Sequence, residues 1–449
     1  MSSPTAAKVE PVLLSRMNEA RERTDALFGV LAPNSLYDRP IPERHRMIFY
    51  LGHLEAFDWN LLAQPLGLSS INPELDKLFA FGIDPVGTGL PADVPEDWPS
   101  TAQVERYNKN VRSVLDEALR RSSTFDAGSP LAAGTLLNIA IEHRLMHAET
   151  LAYLLHNMPV ERKVAESGPK VDPRPEPKQS LAEIPAGVAT LGQNRDCGQF
   201  GWDNEFERAS FFVPAFSVGM FPVTNAEYLK FVEAGGYQES KYWTNEDWEW
   251  RRREEINHPH FWQRQSGLTA SDPGGTWEYR TMFGTIALPR SWPVFVSHAE
   301  ANAFCRWAGK NLPTEAQWHR AAYGTTKGTE RSYPWGEEEP NSTRGNFHHR
   351  RWTASPVDAH PAGASAFGVQ DLLGNGWEWT STPFGPLPGF QAFSFYPGYS
   401  ANFFDGKHFV MKGGSQRTDS CMLRRSFRNW FQPNYPYIYS TFRCVEEQP

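Results

Sequence analysis

The chain has 449 residues, comfortable for two domains of ordinary size and long for a single core. A net charge of −8 without any Lys/Arg block leaves no footprint for nucleic acid, and no apolar run of about 18 residues exists to cross a membrane. Four scattered cysteines with no CxxC spacing exclude a disulfide framework and a zinc-finger pattern, and the N-terminal stretch lacks an apolar secretory region. A cytoplasmic protein acting on small molecules is expected.

Residues 11–31 carry apolar side chains at helical spacing behind Pro11. Residues 41–66 form a second stripe through Ile48, Leu51 and Leu62, with Pro42 expected in the first turn. Residues 101–123 and 129–158 give a third and a fourth, the last being the most apolar. With one long connection between the second and third, these segments predict a four-helix bundle over residues 1–164. Residues 165–182, rich in proline and charge, predict a semi-extended linker. From 183 to 449 the pattern changes. β-like runs at 187–192, 211–224 and 407–415 alternate with Gly, Pro and Asn turns. Two helices stand out, 224–236 behind Thr224 and 297–310, where Ser297 and Glu300 form a capping box. Many of the 16 tryptophans fall in this half, so it reads as an irregular domain held by loop packing. The fold class expected is α+β in two domains.

One stretch of the fourth helix, "IEHRLMHAET" (141–150), raises the question of chemistry. His143 and His147 stand at i and i+4 and leave one face of a helix a turn apart. Two-histidine metal motifs use that spacing, and so do ordinary amphipathic helices that carry two imidazoles. Arg144 follows His143, so this is not HExxH and the glutamate of a zinc protease is missing. A third ligand must come from elsewhere. His53, flanked by apolar residues on the second helix, is expected on the bundle interior, where such folds build metal sites. His45 is expected at the surface or facing substrate, and Glu142 and Glu149 at the surface or supporting the site. Three neutral imidazoles suit Fe(II) and Zn(II) alike.

The second half carries stretches that resemble the formylglycine-generating-enzyme, or sulfatase-modifying-factor, fold, a C-type-lectin-like α+β domain. They are "MFPVTNAEYLKFVEAGGY" (220–237), "LPTEAQWHRAAYG" (312–324), "FGVQDLLGNGWEWT" (367–380), "KGGS" (412–415) and "FRCV" (442–445). That family's paired cysteines a few residues after the Gly-Gly-Ser are absent, since only Cys421 stands there and Cys444 is in the structural Phe-Arg-Cys position, so its copper–thiol chemistry is not implied. Joined to a DinB-like bundle, and with "FGWDNEFE" (200–207) and "RRSFRNW" (424–430), the chain resembles the ergothioneine-biosynthesis sulfoxide synthases and their selenoneine synthase relatives. The resemblance implies Fe(II) held by His53, His143 and His147. It implies hercynine (Nα-trimethylhistidine), O2 and a sulfur or selenium donor as substrates, with bond formation at C2 of the hercynine imidazole. Asn429 and Trp430 match residues that hold the betaine end. A quaternary ammonium favours aromatic faces, and Trp430, Phe431 and Trp377 are the cage expected, with core packing as the competing role for Trp377. The family's tyrosine proton donor is expected in the aromatic segment 388–404, where Tyr396 and Tyr399 are the candidates, with packing of that loop as the competing role for both.

Members that use γ-glutamylcysteine bind its charged ends with an Asp after the Asn-Trp pair and with arginines after the second bundle helix. Here Phe431 follows Trp430, and residues 75–91 contain no arginine. A multiply charged dipeptide would be left with unpaired charges, which points to free cysteine or an uncharged selenosugar, with a preference for selenium. Two other readings remain open at this level: a lectin-like binding protein without enzymatic activity, and a DinB-type thiol transferase in which the same histidines hold a divalent metal.

Overall fold

The computed structural model describes residues 11–80, 90–121, 131, 134–164, 166, 174–265 and 276–447. It forms two compact units, Met1–Glu166 and Ser167–Pro449. Of the expected linker, residues 174–180 lack regular structure and 181–182 already belong to a strand, while 165 and 167–173 lie outside the described residues.

The first unit is helical. It contains α1 (Pro11–Phe28), α2 (Met47–Leu62), a short α3 (Pro73–Leu78), α4 (Thr101–Arg121) and α5 (Thr135–Asn157). α1 lies along α5, and α2 packs on both α4 and α5. α5 is buried along nearly its whole length, as its apolar sequence requires of a central helix. α2 is shorter than expected at both ends. Pro42 lies outside it, because Met47 N–H donates to Asp38 O (3.0 Å) and Ile48 N–H to Leu36 O (2.6 Å), pinning the helix start to a preceding turn. α3, which was not anticipated, starts at Pro73 behind Asn72, whose side chain accepts from Leu75 N–H at 3.2 Å.

The second unit is α+β. Its strands are β1 (Leu181–Ile184), β2 (Gly187–Leu191), β3 (Ala209–Val213), β4 (Phe216–Gly219), β5 (Trp262–Arg264), β6 (Trp277–Thr281), β7 (Gly284–Ala287), β8 (Trp377–Pro383), β9 (Phe409–Lys412), β10 (Asn429–Phe431), β11 (Ser440–Thr441) and β12 (Val445–Glu447). They form small sheets ordered β1-β4-β12, β10-β9-β8-β11, β2-β3 and β5-β6-β7. The run at 211–224, expected as one strand segment, is cut at Pro214. β3 pairs with β2 on one side of the break, and β4 pairs with β1 and β12 on the other.

Both expected helices are present, α6 (Asn225–Glu233) behind Thr224 and α8 (His298–Trp307) behind the Ser297/Glu300 box. Two more were missed, α7 (Asn245–Arg253) and α9 (Glu315–Tyr323), capped by Thr244 and Thr314. For α9 the signal was in the sequence, since Thr314 and Gln317 form a capping box. The "WEW" of β8 is packed inside. Trp379 Nε1 donates to Val296 O (2.9 Å), and Glu378 accepts from Arg443 (2.6 Å) and from Trp318 Nε1 (2.9 Å). No helix among the described residues is long and apolar enough to cross a membrane.

Candidate metal centre

α2 and α5 bring His53, His143 and His147 together. One ligand atom from each lies within 4.8 Å of the others, and all three side chains are buried. The ring centroids are 4.5 Å apart for His143 and His147, 4.9 Å for His53 and His147, and 5.3 Å for His53 and His143. His53 is oriented from behind. Its Nδ1 lies 2.7 Å from the carbonyl of Phe79, which can only accept, so Nδ1 carries the proton and Nε2 keeps its lone pair. Gly52 makes this contact reachable, because a Cβ there would sit 2.5 Å from the Phe79 ring. Phe57 stacks on His143 at 3.4 Å, and Phe49 on His53 at 5.0 Å.

His53 Nε2, His143 Nδ1 and both nitrogens of His147 have no hydrogen-bond partner among the described residues. Leaving a buried polar atom unsatisfied costs about 1–3 kcal/mol, so converging orphan nitrogens need a further group to bind. Burial is the main influence on all three imidazoles. It lowers His53 to about 4 and pushes His143 and His147 well below the usual range, which keeps every ring neutral at pH 7 and able to donate to a cation. A divalent transition metal fits this all-nitrogen set.

Arg144, used above only to exclude HExxH, proves to be buried and paired with Glu55 (3.0 Å) and Asp58 (2.6 Å) of α2. Sequence reasoning missed this cluster, although two carboxylates in an apolar helix were a visible sign. Glu142 is also buried, contrary to the surface position allowed for it. His45 is half-buried, 4.0 Å from Phe49.

The remaining expected site residues belong to the second unit. Trp430, half-buried in β10, stacks on Phe384 at 4.2 Å and 7°. Tyr399 meets it edge-on at 5.5 Å, and Phe403 lies at 5.5 Å. Phe431 is not part of this group. It follows Trp430 in a strand, so it projects to the opposite face, where it stacks on Tyr435 at 5.3 Å. Trp377 is only 4% exposed and packs on Phe427 at 5.9 Å, the core position named as its competing role. Of the three aromatic residues expected together, Trp430 packs with Phe384, Tyr399 and Phe403, while Phe431 and Trp377 pack elsewhere. Alternation along a strand separates sequence neighbours, and tertiary packing supplies distant ones.

Tyr399 is held flat against Trp202 (3.9 Å, 21°) and is almost fully buried. Tyr396 lies close by, 5.7 Å from Tyr399 between ring centres. Burial, followed by the charge of Asp203, pushes its hydroxyl up to about 12. Asp203 itself accepts from Ser400 Oγ at 2.6 Å, which ties the tyrosine segment to residues 202–205. Asn429 accepts from the backbone N–H of Trp430 through Oδ1 (2.9 Å).

The DinB superfamily model matches residues 16–151, and the sulfatase-modifying factor enzyme 1-like domain matches residues 167–448. A hercynine oxygenase of Mycolicibacterium smegmatis is 34% identical over 383 residues, covering 83% of each chain. The chain belongs to the hercynine oxygenase family. A second hercynine oxygenase, from Mycobacterium tuberculosis, is 42% identical over 246 residues, 54% of this chain and 55% of that protein. Ergothioneine biosynthesis protein 1 of Neurospora crassa is 28% identical over 498 residues, 93% of this chain and 56% of that protein. The chain thus spans little more than half the length of these last two relatives. Membership in an enzyme family sets aside the reading as a binding module alone. These relatives stand with the ergothioneine-type alternative, so selenium is withdrawn as the leading expectation.

Proposed function

We propose that the protein is an iron(II)- and O2-dependent hercynine oxygenase that joins the sulfur of a thiol donor to C2 of the hercynine imidazole. The observation that carries this reading is the convergence of three buried, neutral imidazoles with orphan nitrogens, in a chain of this family. Iron(II), when bound by His53, His143 and His147, supplies the redox capacity that O2 chemistry needs.

The chain's own residues bind and orient. The indole of Trp430, with Phe384, Tyr399 and Phe403 around it, offers an aromatic surface to the trimethylammonium group, which no hydrogen bond can satisfy. Asn429 has Oδ1 engaged on its own strand, which leaves its NH2 to donate to the substrate carboxylate. Tyr396, with a buried, protonated hydroxyl beside Tyr399, is the proton donor of this reading. Tyr399, pinned on Trp202, shapes the aromatic wall. The donor proposed is free cysteine, since Phe431 stands where a carboxylate would pair with the ammonium of γ-glutamylcysteine.

A second reading keeps the same iron site and hercynine but takes a neutral selenosugar. It is favoured by Phe431, an aromatic ring stacked on Tyr435 where users of γ-glutamylcysteine carry an Asp. One experiment tests both. The protein is reconstituted anaerobically with Fe(II), supplied with hercynine, O2 and each donor in turn, and followed by oxygen electrode and mass spectrometry. A C–S product with cysteine is expected, and a C–Se product from the selenosugar alone would move the assignment to the second reading. If no donor consumes oxygen, the oxygenase reading is wrong.

A further inference from the structure

The charged cluster beside the histidines has a geometry that packing alone does not require. Arg144 Nη1 lies 3.0 Å from Glu55 Oε1, and its Nη2 lies 2.6 Å from Asp58 Oδ2. The guanidinium also donates to the backbone carbonyl of Leu54 (2.9 Å) and to Thr24 Oγ1 (3.4 Å). Arg112 extends the cluster, reaching Glu55 (2.7 Å) and Asp25 through two bonds of 2.7 Å. Residues of α1, α2, α4 and α5 are therefore tied at one level of the bundle. Arg144, Glu55 and Asp58 are each at most 1% exposed.

Moving each such ion out of water costs several kcal/mol, and well-packed apolar residues often stabilise a fold as much or more. What an apolar cluster lacks is direction. The fork of Arg144 is rigid and planar. It grips the α2 backbone at Leu54, the residue after His53, from a position adjacent to His143 on α5. A small slide of α5 along α2 would break these bonds and separate the imidazoles.

We propose that Arg144, held by Glu55 and Asp58, is a positioning residue that sets the register of the two ligand-bearing helices and so the metal affinity of the three-histidine site. This rests on the reading of that site as a metal centre.

The test uses the full-length, metal-free protein, titrated anaerobically with Co(II) and read by its d–d absorption, with Fe(II) competed against a chelator. Wild type should take up one equivalent. Arg144→Met should bind roughly 10–100-fold more weakly, the range for residues that orient metal ligands. Arg144→Lys, which keeps the charge but not the fork, should recover part of the loss. The triple variant Arg144→Met/Glu55→Leu/Asp58→Leu should regain thermal stability without regaining the wild-type affinity or band pattern. That variant also carries the test if Arg144→Met fails to fold. Wild-type affinity and spectrum in the triple variant, or in folded Arg144→Met, would overturn the positioning role alone. A wild-type protein that binds neither metal would overturn the metal reading and this proposal with it.

Discussion

Replacing Trp430 by Ala tests the substrate half of the assignment most directly. The indole is half-buried, with one face covered by Phe384 at 4.2 Å and Tyr399 and Phe403 at 5.5 Å. A cation against an aromatic ring gains about 0.5–1 kcal/mol when exposed and about 2 kcal/mol when desolvated. A half-buried ring falls between, at about 1–2 kcal/mol, which corresponds to about 5–30-fold in binding. The interaction is made with a group remote from the reacting carbon and is equal in ground and transition states. KM for hercynine should therefore rise by that factor while kcat changes little. Histidine, which lacks the quaternary ammonium, provides the internal control, and the preference for hercynine over histidine should shrink by the same 5–30-fold, roughly. Trp430→Phe should lose less, because it keeps a ring on Phe384. Steady-state kinetics with both substrates, on variants shown to be folded by circular dichroism, give the answer. An unchanged hercynine-to-histidine ratio in Trp430→Ala would refute the cage.

Three further outcomes are expected. His147→Ala should lower iron content after anaerobic reconstitution from one equivalent to near zero, measured by elemental analysis, while the helical signal is retained. The second unit should lose stability in acid through His298, whose imidazole burial lowers to about 3, with the Thr380 carbonyl offsetting part of that shift. Between pH 6.5 and 3 the unfolded chain binds a proton that the folded chain refuses, so stability falls as pH falls. At pH 5 the loss is about 2 kcal/mol, and urea titrations at pH 7.5 and 5 should show His298→Gln losing that much less. Phe431→Asp should raise kcat/KM for γ-glutamylcysteine about tenfold by pairing its ammonium, as donor competition followed by mass spectrometry would show.

That His143 and His147 share a face was legible because helical periodicity converts spacing into direction, while their grouping with His53 as a ligand set rested on the family resemblance. Residues four apart share a face, and apolar flanks made an inward position for His53 the expectation. The hydrogen bond from His53 to Phe79 was not legible, since it depends on α3 ending against Gly52. The aromatic site was only partly readable. Trp430 could be singled out, but its neighbours Phe384, Tyr399 and Phe403 come from distant loops, and strand alternation turned the adjacent Phe431 away.

Local pattern alone settled that this chain has a helical half and an irregular α+β half, and that His53, His143 and His147 could face one interior. Those features rest on periodicity, turn residues and caps, which act over a few neighbours. Only the tertiary structure decided that α2 begins after Pro42, that Arg144 lies buried between Glu55 and Asp58, and that Trp377 belongs to the core. Each of these depends on groups brought together from far along the chain, where burial, and not sequence neighbourhood, sets which polar atoms must find partners.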